Sequence, residues 1–414
     1  MLDLKSLIKA AVRHFSAMVS LCALIVFFAF PTVPATAASL GGGETDLSGV
    51  REGWSWPIIV IQPPEGWDSP AGIAIKYGMR AAEREISLSR EGIRGFEATF
   101  MFSSVAGPSE LAERLRTWRG MKSCAILSFG GGEINDELKR LCAAEGPSVI
   151  FAGGEDIAIK DPKNGLPFQY LFALDFTYFA RANAIAEFAS QSVSGKSVIV
   201  MTDGVSERLA RGAERNVDIL RRKSVDALTY FVPGAVQYQF NAQVQEAVSE
   251  GAGAIISWLG YLSSLSIWRT AQLGGGRTEV YFSGTKDSIL LDADGLVLVD
   301  KDDIMNLNEE GQRVIITKAR DLFARELAAP VAAAKAYALA KWAIIGFVSA
   351  GQINAASVAR ALSVADGIPL MDETLSIDSR TNRPKSRKFA VLRVNKRNYE
   401  LVTSVDVYSI EVIE

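Results

Sequence analysis

The 414-residue sequence predicts an α/β protein of two lobes, each built on a parallel β-sheet covered by helices. Three observations predict it. Short apolar runs alternate with stretches of helical periodicity along most of the chain. The runs end repeatedly in glycine turns, above all Gly130-Gly-Gly132 and Gly153-Gly154. The alternation breaks near Ala173 and again near Leu296, so it falls into two similar series. A parallel sheet needs such crossovers, and ligands gather where its strands end at the carboxyl edge. Each glycine turn either turns the chain tightly or lets a ligand approach backbone N–H groups at a helix start.

Residues 1–38 have the three parts of an export signal. Lys5, Lys9 and Arg13 charge its start, residues 19–30 are apolar, and residues 34–38 are small. An uncleaved anchor helix is the alternative reading. Residues 331–348 come next in apolar length, but Lys335, Lys341 and many alanines predict a buried helix instead.

After a glycine-rich lead, residues 56–62 form the first expected strand. Ser69 caps a helix that has Pro70 at its first position and Ile73, Tyr77, Ala81 and Ile86 as its buried stripe. A turn at 92–95 leads to a strand over 96–102. A helix over 108–118 then carries Leu111, Leu115 and Trp118 at helical spacing. Residues 124–129 are a strand, 133–144 a helix and 149–152 a strand. The stretch 168–173 is extended and leads to a helix starting at Asp175, where the chain crosses to the second lobe.

The second series has strands over 197–201, 227–232, 254–258 and 279–283. Helices over 206–222, 240–249 and 261–273 lie between them. Residues 296–299 form another extended crossing. Helices follow over 309–327 and 330–348, with a third capped by Asn354. The tail, 375–413, is strand-like, and its basic stretch 382–388 reads as a solvated surface loop. The expected lobes are 54–174 plus 297–371, and 175–296 plus 372–414.

Composition excludes several functions. Residues 1–38 carry three of the 44 basic and one of the 47 acidic side chains, so the remaining chain has a net charge of −5. That is no electrostatic footprint for nucleic acid. The one histidine, His14, lies in the signal, which excludes Ser–His, Cys–His and His-ligated metal mechanisms from the exported chain. No cofactor or metal site is expected. Cys124 starts a strand and Cys142 ends the helix running back beside it. A disulfide and a pair of buried thiols are both open.

Weak motifs in a consistent order resemble the type I periplasmic solute-binding proteins, the branched-chain amino acid receptor family of ABC importers. Residues 64–86 with Gly92-Ile-Arg-Gly95 resemble the family's first loop, long first helix and turn. Gly251-Ala-Gly-Ala-Ile-Ile256 resembles a second-lobe strand, Ala336-Tyr-Ala-Leu-Ala-Lys-Trp342 a late helix, and Phe389-Ala-Val-Leu-Arg393 the closing strand. The resemblance implies two Rossmann-like lobes joined by a three-strand hinge, a small-molecule ligand in the cleft between them, and no catalysis. It also implies a monomer in the periplasm that delivers its ligand to ABC permease subunits. A ligand sensor that signals to a membrane partner is the alternative, and an exported enzyme a third reading.

By the same resemblance the ligand residues are Trp67, Gly131, Gly132, Glu155, Asp175, Tyr178, Tyr261, Thr285 and Lys286. Amino-acid-binding members place hydroxyl groups and a threonine around the ligand carboxylate, and an acid near its ammonium. Here glycines, Glu155, Thr285 and Lys286 stand at those places. A glutamate repels a carboxylate, and an ammonium loses its counter-charge. The expected ligand is therefore not a standard α-amino acid. Trp67, Tyr178 and Tyr261 suit an apolar or aromatic body, and Lys286 an anionic group.

Overall fold

A computed structural model describes residues 55–409, apart from 89–96, 154–158, 177, 194, 233–238, 276, 285, 302–326, 351, 353 and 371–373. The expected signal and the 92–95 turn lie outside the described residues, as does nearly all of the helix expected over 309–327; the lobe boundary expected at 371 falls later, since Leu375 and Ile377 are still in the first lobe's core and Phe389 is in the second's.

The first sheet takes β1 (Ser55–Ile61), β2 (Glu97–Ser103), β3 (Ala125–Ser128), β4 (Ser148–Phe151) and β5 (Leu171–Ala173) in the order β2-β1-β3-β4-β5, all parallel. The helices between them are α1 (Pro70–Leu88), α2 (Pro108–Gly120) and α3 (Gly132–Cys142). Successive strand side chains point to opposite faces. Ile58, Val60, Ala125 and Leu127 therefore enter one core, and Ile59, Ile61 and Ile126 the other. Burial on both faces is why these strands read as unbroken apolar runs.

The second lobe begins with α4 (Tyr178–Ser192). It continues through β6 (Val198–Thr202), α5 (Glu207–Arg222), β7 (Ala227–Phe231), α6 (Gln239–Ser249), β8 (Ala254–Trp258), α7 (Tyr261–Leu273), β9 (Glu279–Phe282) and β10 (Val297–Lys301). Helices α8 (Pro330–Ser349) and α9 (Ala355–Ser363) then pack into the first lobe's core. Short pairings β11 (Ile368–Pro369) with β12 (Thr374–Leu375) and β13 (Ile377–Asp378) with β14 (Arg383–Pro384) lead to the long hairpin β15 (Ser386–Asn395) and β16 (Asn398–Tyr408). The second sheet has the order β16-β15-β10-β9-β8-β6-β7. It is parallel from β10 to β7 and antiparallel where the hairpin joins. Within each lobe the first five strands follow one pattern: second, first, third, fourth, fifth.

Both expected caps form: Ser69 Oγ accepts from Gly72 N at 3.0 Å, and Asn354 Oδ1 from Ser357 N at 2.9 Å. Ser206, expected as the first helical residue, is also a cap, its Oγ accepting from Leu209 N at 3.4 Å.

Three further expectations are corrected. The buried face of α1 is Gly72, Ala74, Ile75, Gly78, Met79 and Ala82, with Ile73, Tyr77 and Ala81 only half-buried beside it. Small residues won the inner position because α8 crosses there; a Cβ on Gly78 would fall on the Ala333 carbonyl oxygen. The stretch from Val297 does not open the first lobe's return. It is β10, paired with β9 and β15, so the second sheet runs on to Lys301. The basic stretch 382–388 is not a solvated loop, since Asn382, Arg383, Pro384 and Arg387 are buried. Of the two readings open for Cys124 and Cys142, the structure has two free, buried thiols. They belong to cores on opposite faces of the first sheet, so neighbouring ends do not bring the sulfurs together.

Candidate ligand cleft

The carboxyl edge of the first sheet is built from two touching loops. After β1 the chain turns through Gly66, whose φ of +84° suits glycine. Gly66 N donates to Pro63 O at 2.9 Å and Ser69 Oγ to Gly66 O at 2.7 Å. This turn presents Trp67, whose ring meets Phe102 edge-on at 5.1 Å and carries Lys76 Nζ 5.4 Å over its face. Trp67 Nε1 is buried without a hydrogen-bond partner. Pro64 lies 3.5 Å from where a Cβ on Gly131 would stand, so the tryptophan loop abuts the glycine turn.

That turn is held from below. Ser128 Oγ donates to Asn135 Oδ1 at 2.7 Å and accepts from Gly130 N at 3.3 Å, while Asn135 Nδ2 donates to Gly130 O at 2.8 Å. Gly131 is the N-cap of α3 and has no side chain to occupy the first-turn N–H groups. A Cβ on Gly132 would meet open space. The surface is therefore bare backbone at the positive end of a helix.

The second lobe repeats this construction. Ser257 Oγ lies 2.8 Å from Ser264 Oγ and accepts from Leu259 N at 3.4 Å, while Ser264 Oγ donates to Leu259 O at 3.4 Å. Gly260 is the N-cap of α7, again without a side-chain cap. Asn135 N donates to Gly131 O at 3.0 Å, and Ser264 N to Gly260 O at 3.0 Å. The third strands of the two sheets thus end in one shared device, Ser-x-x-Gly-x-x-x-Asn/Ser at 128–135 and 257–264. The sequence shows it only as two matched positions and a polar third, too few to stand out without the hydrogen bonds.

Other residues furnish the second edge. Tyr261 is half-buried and packs on Phe282 at 5.1 Å. Tyr178 stacks on Phe179 at 4.5 Å, with the Arg208 guanidinium 5.6 Å over its ring. Arg181 Nη1 donates to Ser283 O at 2.6 Å, beneath the turn that carries Lys286. The Lys286 side chain is exposed, and its backbone N–H lies 3.4 Å from Asp300 Oδ2. Asp287 caps the short 3-10 helix Ser288–Asp292 through Ile289 N at 2.9 Å. Tyr399 holds the turn, with its hydroxyl donating to Asp287 O at 2.6 Å and accepting from Asp287 N at 3.0 Å. Burial raises the Tyr399 phenol, which keeps it a donor at neutral pH. Val205, Phe231 and Leu262, at the ends of β6, β7 and β8, are exposed apolar side chains on the same edge.

Of the nine expected ligand residues, Trp67, Gly131 and Gly132 gather on the first edge, and Tyr178, Tyr261 and Lys286 on the second. Glu155 and Thr285 lie outside the described residues. Asp175 belongs to neither edge: it is 1% exposed and its carboxylate is bound by Arg387 and Lys335. Arg208 and the Ser–Asn and Ser–Ser pairs were missed. The two pairs span only seven residues, but polar residues at that spacing carry no sequence signal of their own. Among the described residues no cluster of His, Cys, Asp and Glu could hold a metal ion.

No protein-family model and no curated protein sequence matches the chain. Solved structures do. The leucine-binding protein LivK of Thermotoga maritima shares 16% identity at a TM-score of 0.58, over 84% of this chain and 98% of its own. An ABC-type branched-chain amino acid transporter protein of Rhodopseudomonas palustris shares 12% at 0.63, over 86% and 98%. The solute-binding protein of an ABC transporter from R. palustris, solved with benzoate, shares 13% at 0.55, over 87% and 99%. The chain has the fold of the type I periplasmic binding proteins.

Proposed function

We propose that the chain is an exported solute-binding receptor. It captures a small molecule between the two carboxyl edges, leaves it chemically unchanged, and delivers it as a monomer to ABC permease subunits. Residues 1–38 direct it to the periplasm and are removed. One observation carries this reading: both sheets end in the same serine-braced glycine turn, with uncapped helix N-termini at Gly131 and Gly260. Duplicated, ligand-ready edges suit a receptor that closes on its cargo. Structural relatives named for leucine, for branched-chain amino acids and for benzoate support it.

The ligand is an apolar or aromatic body with an anionic group, not a standard α-amino acid. Trp67, Tyr178 and Tyr261 offer ring faces, and Val205, Phe231 and Leu262 offer exposed apolar surface. Lys286 and Arg208 supply positive charge on the second edge.

The test is native mass spectrometry of residues 39–414 before and after mild denaturation, with thermal-shift measurements against leucine, isoleucine, benzoate and other aromatic acids. The expected result is a rise in melting temperature with aromatic acids and none with leucine or isoleucine. A rise with the amino acids alone overturns the ligand class and keeps the receptor. Chemical conversion of a bound compound overturns the receptor reading itself.

A further inference from the structure

The passage from β5 to α4 turns on one residue. On this passage Leu174 still belongs to the first lobe's core and Phe176 already to the second's. Between them Asp175 is 1% exposed. Its Oδ1 accepts from Arg387 Nη2 at 3.0 Å, and its Oδ2 from Lys335 Nζ at 3.4 Å. Arg387 lies on β15 of the second sheet, and Lys335 on α8 in the first lobe. The Asp175 carbonyl accepts from Arg383 Nη1, on the chain's later return. That return is tied to the first passage as well: Ala173 N donates to Asn382 O at 3.2 Å, and Asn382 Nδ2 to Phe168 O and Leu171 O, each at 3.0 Å. One buried carboxylate is thus shared between a cation from each lobe, at the point where two chain crossings run side by side.

A buried ion pair adds little net stability over an apolar substitute of the same shape. What it can specify is geometry. Here the two cations ride on different lobes. A rotation of one lobe against the other moves Arg387 relative to Lys335, and a single carboxylate cannot follow both. The carboxylate is 1% exposed, so breaking either contact removes compensation from a buried charge and is costly.

We propose that Asp175, with Arg387 and Lys335, is an electrostatic latch that sets the relative orientation of the lobes, and hence the fraction of molecules whose edges are placed to grip a ligand. Apparent affinity scales with that fraction, although no latch residue touches the ligand. Asp175 is a positioning residue. The inference rests on the two-lobe fold and not on the transport role, so the two fail separately.

The test is a pair of spin labels on residues 39–414, one at Glu113→Cys on α2 and one at Glu214→Cys on α5. Both sites are exposed, while the native thiols are buried. Pulsed electron resonance reads the distance distribution between the lobes. Asp175→Asn keeps the shape and removes the charge; it is expected to broaden the distribution or add a second population. Lys335→Gln, on a side chain one-fifth exposed, is expected to shift it in the same direction by less. The two together are expected to do no more than Asp175→Asn alone, because both act on one carboxylate. A bracing role alone would lower the melting temperature and leave the distribution unchanged; that result in both variants overturns the latch. If Asp175→Asn does not fold, Lys335→Gln decides by the same two outcomes.

Discussion

Asn216 Oδ1 accepts from Trp258 Nε1 at 2.5 Å, and the same amide donates from Nδ2 to Ala182 O at 2.6 Å. Asn216 is fully buried. It joins α5 to α4 and to the end of β8, directly under the second edge. Trp258 in turn lies against Gly212, where a Cβ would stand 2.5 Å from its ring. Replacing Asn216 by leucine leaves the indole N–H buried without a partner and removes the second bond that Ala182 O accepts beside its own helix bond. The expected loss is roughly 2–4 kcal/mol in urea unfolding. A loss under about 0.5 kcal/mol would show that the site relaxes enough to admit water.

Gly78→Ala sets two effects against each other. Alanine improves helix propensity by about 1 kcal/mol. Its methyl, however, falls on the Ala333 carbonyl oxygen, which is backbone and cannot rotate away. Helices α1 and α8 must then separate, and overpacking of this kind costs about 1–3 kcal/mol. The clash wins, so a lower melting temperature is expected.

Much of the fold was legible because its signals are local. Strand β8 and helix α7 fall on the residues expected from apolar runs and helical period, and the caps at Ser69 and Asn354 form as read. What was hidden depends on partners distant in the chain. The stretch from Val297 is extended in either lobe, and its pairings with Tyr281–Phe282 and Phe389–Arg393 decide which. Asp175 read as a ligand contact and the basic stretch 382–388 as solvated surface. Each reading was reasonable alone, and both changed because Asp175 and Arg387, 212 positions apart, neutralise each other. The candidate site was legible as loops at strand ends. The serine braces beneath them were not, because their seven-residue spacing carries no apolar period.

The two thiols give a pH-dependent prediction. Burial pushes Cys124 up to about 11 and Cys142 up to about 12. Reaction with alkylating or disulfide reagents needs the thiolate, so neither thiol in residues 39–414 is expected to react at pH 8 in the folded protein. Two equivalents are expected in denaturant. The sign for stability follows. Folded values above the unfolded thiol value of about 8.5 stabilise the fold fully below that pH, and the contribution is lost as pH rises from there through the folded values. Melting temperature is therefore expected to fall above pH 9, and less steeply in Cys142→Ser once its own destabilisation is subtracted. Native-state labelling at pH 8 would contradict the burial of these groups.

The paired serine braces predict parallel behaviour in the two lobes. Ser128→Ala removes the donor to Asn135 Oδ1 and the acceptor for Gly130 N. Ser257→Ala removes the contact with Ser264 Oγ and the acceptor for Leu259 N. Each loses a hydrogen-bond pair worth about 1–2 kcal/mol in all. Because the bonds hold a turn at the end of a strand, the loss should stay local and loosen the turn more than the sheet. Amide hydrogen exchange is expected to quicken across 129–135 in Ser128→Ala and across 258–264 in Ser257→Ala, with the neighbouring strands unchanged. Each variant should spare the other lobe, since the braces lie in separate cores. Faster exchange throughout one sheet would instead make the serine part of the core's stability. No change at either turn would mean that the glycines hold their conformation without it, and the repeated pattern would then reflect shared ancestry of the halves and not a shared need for rigid backbone at the ligand edge.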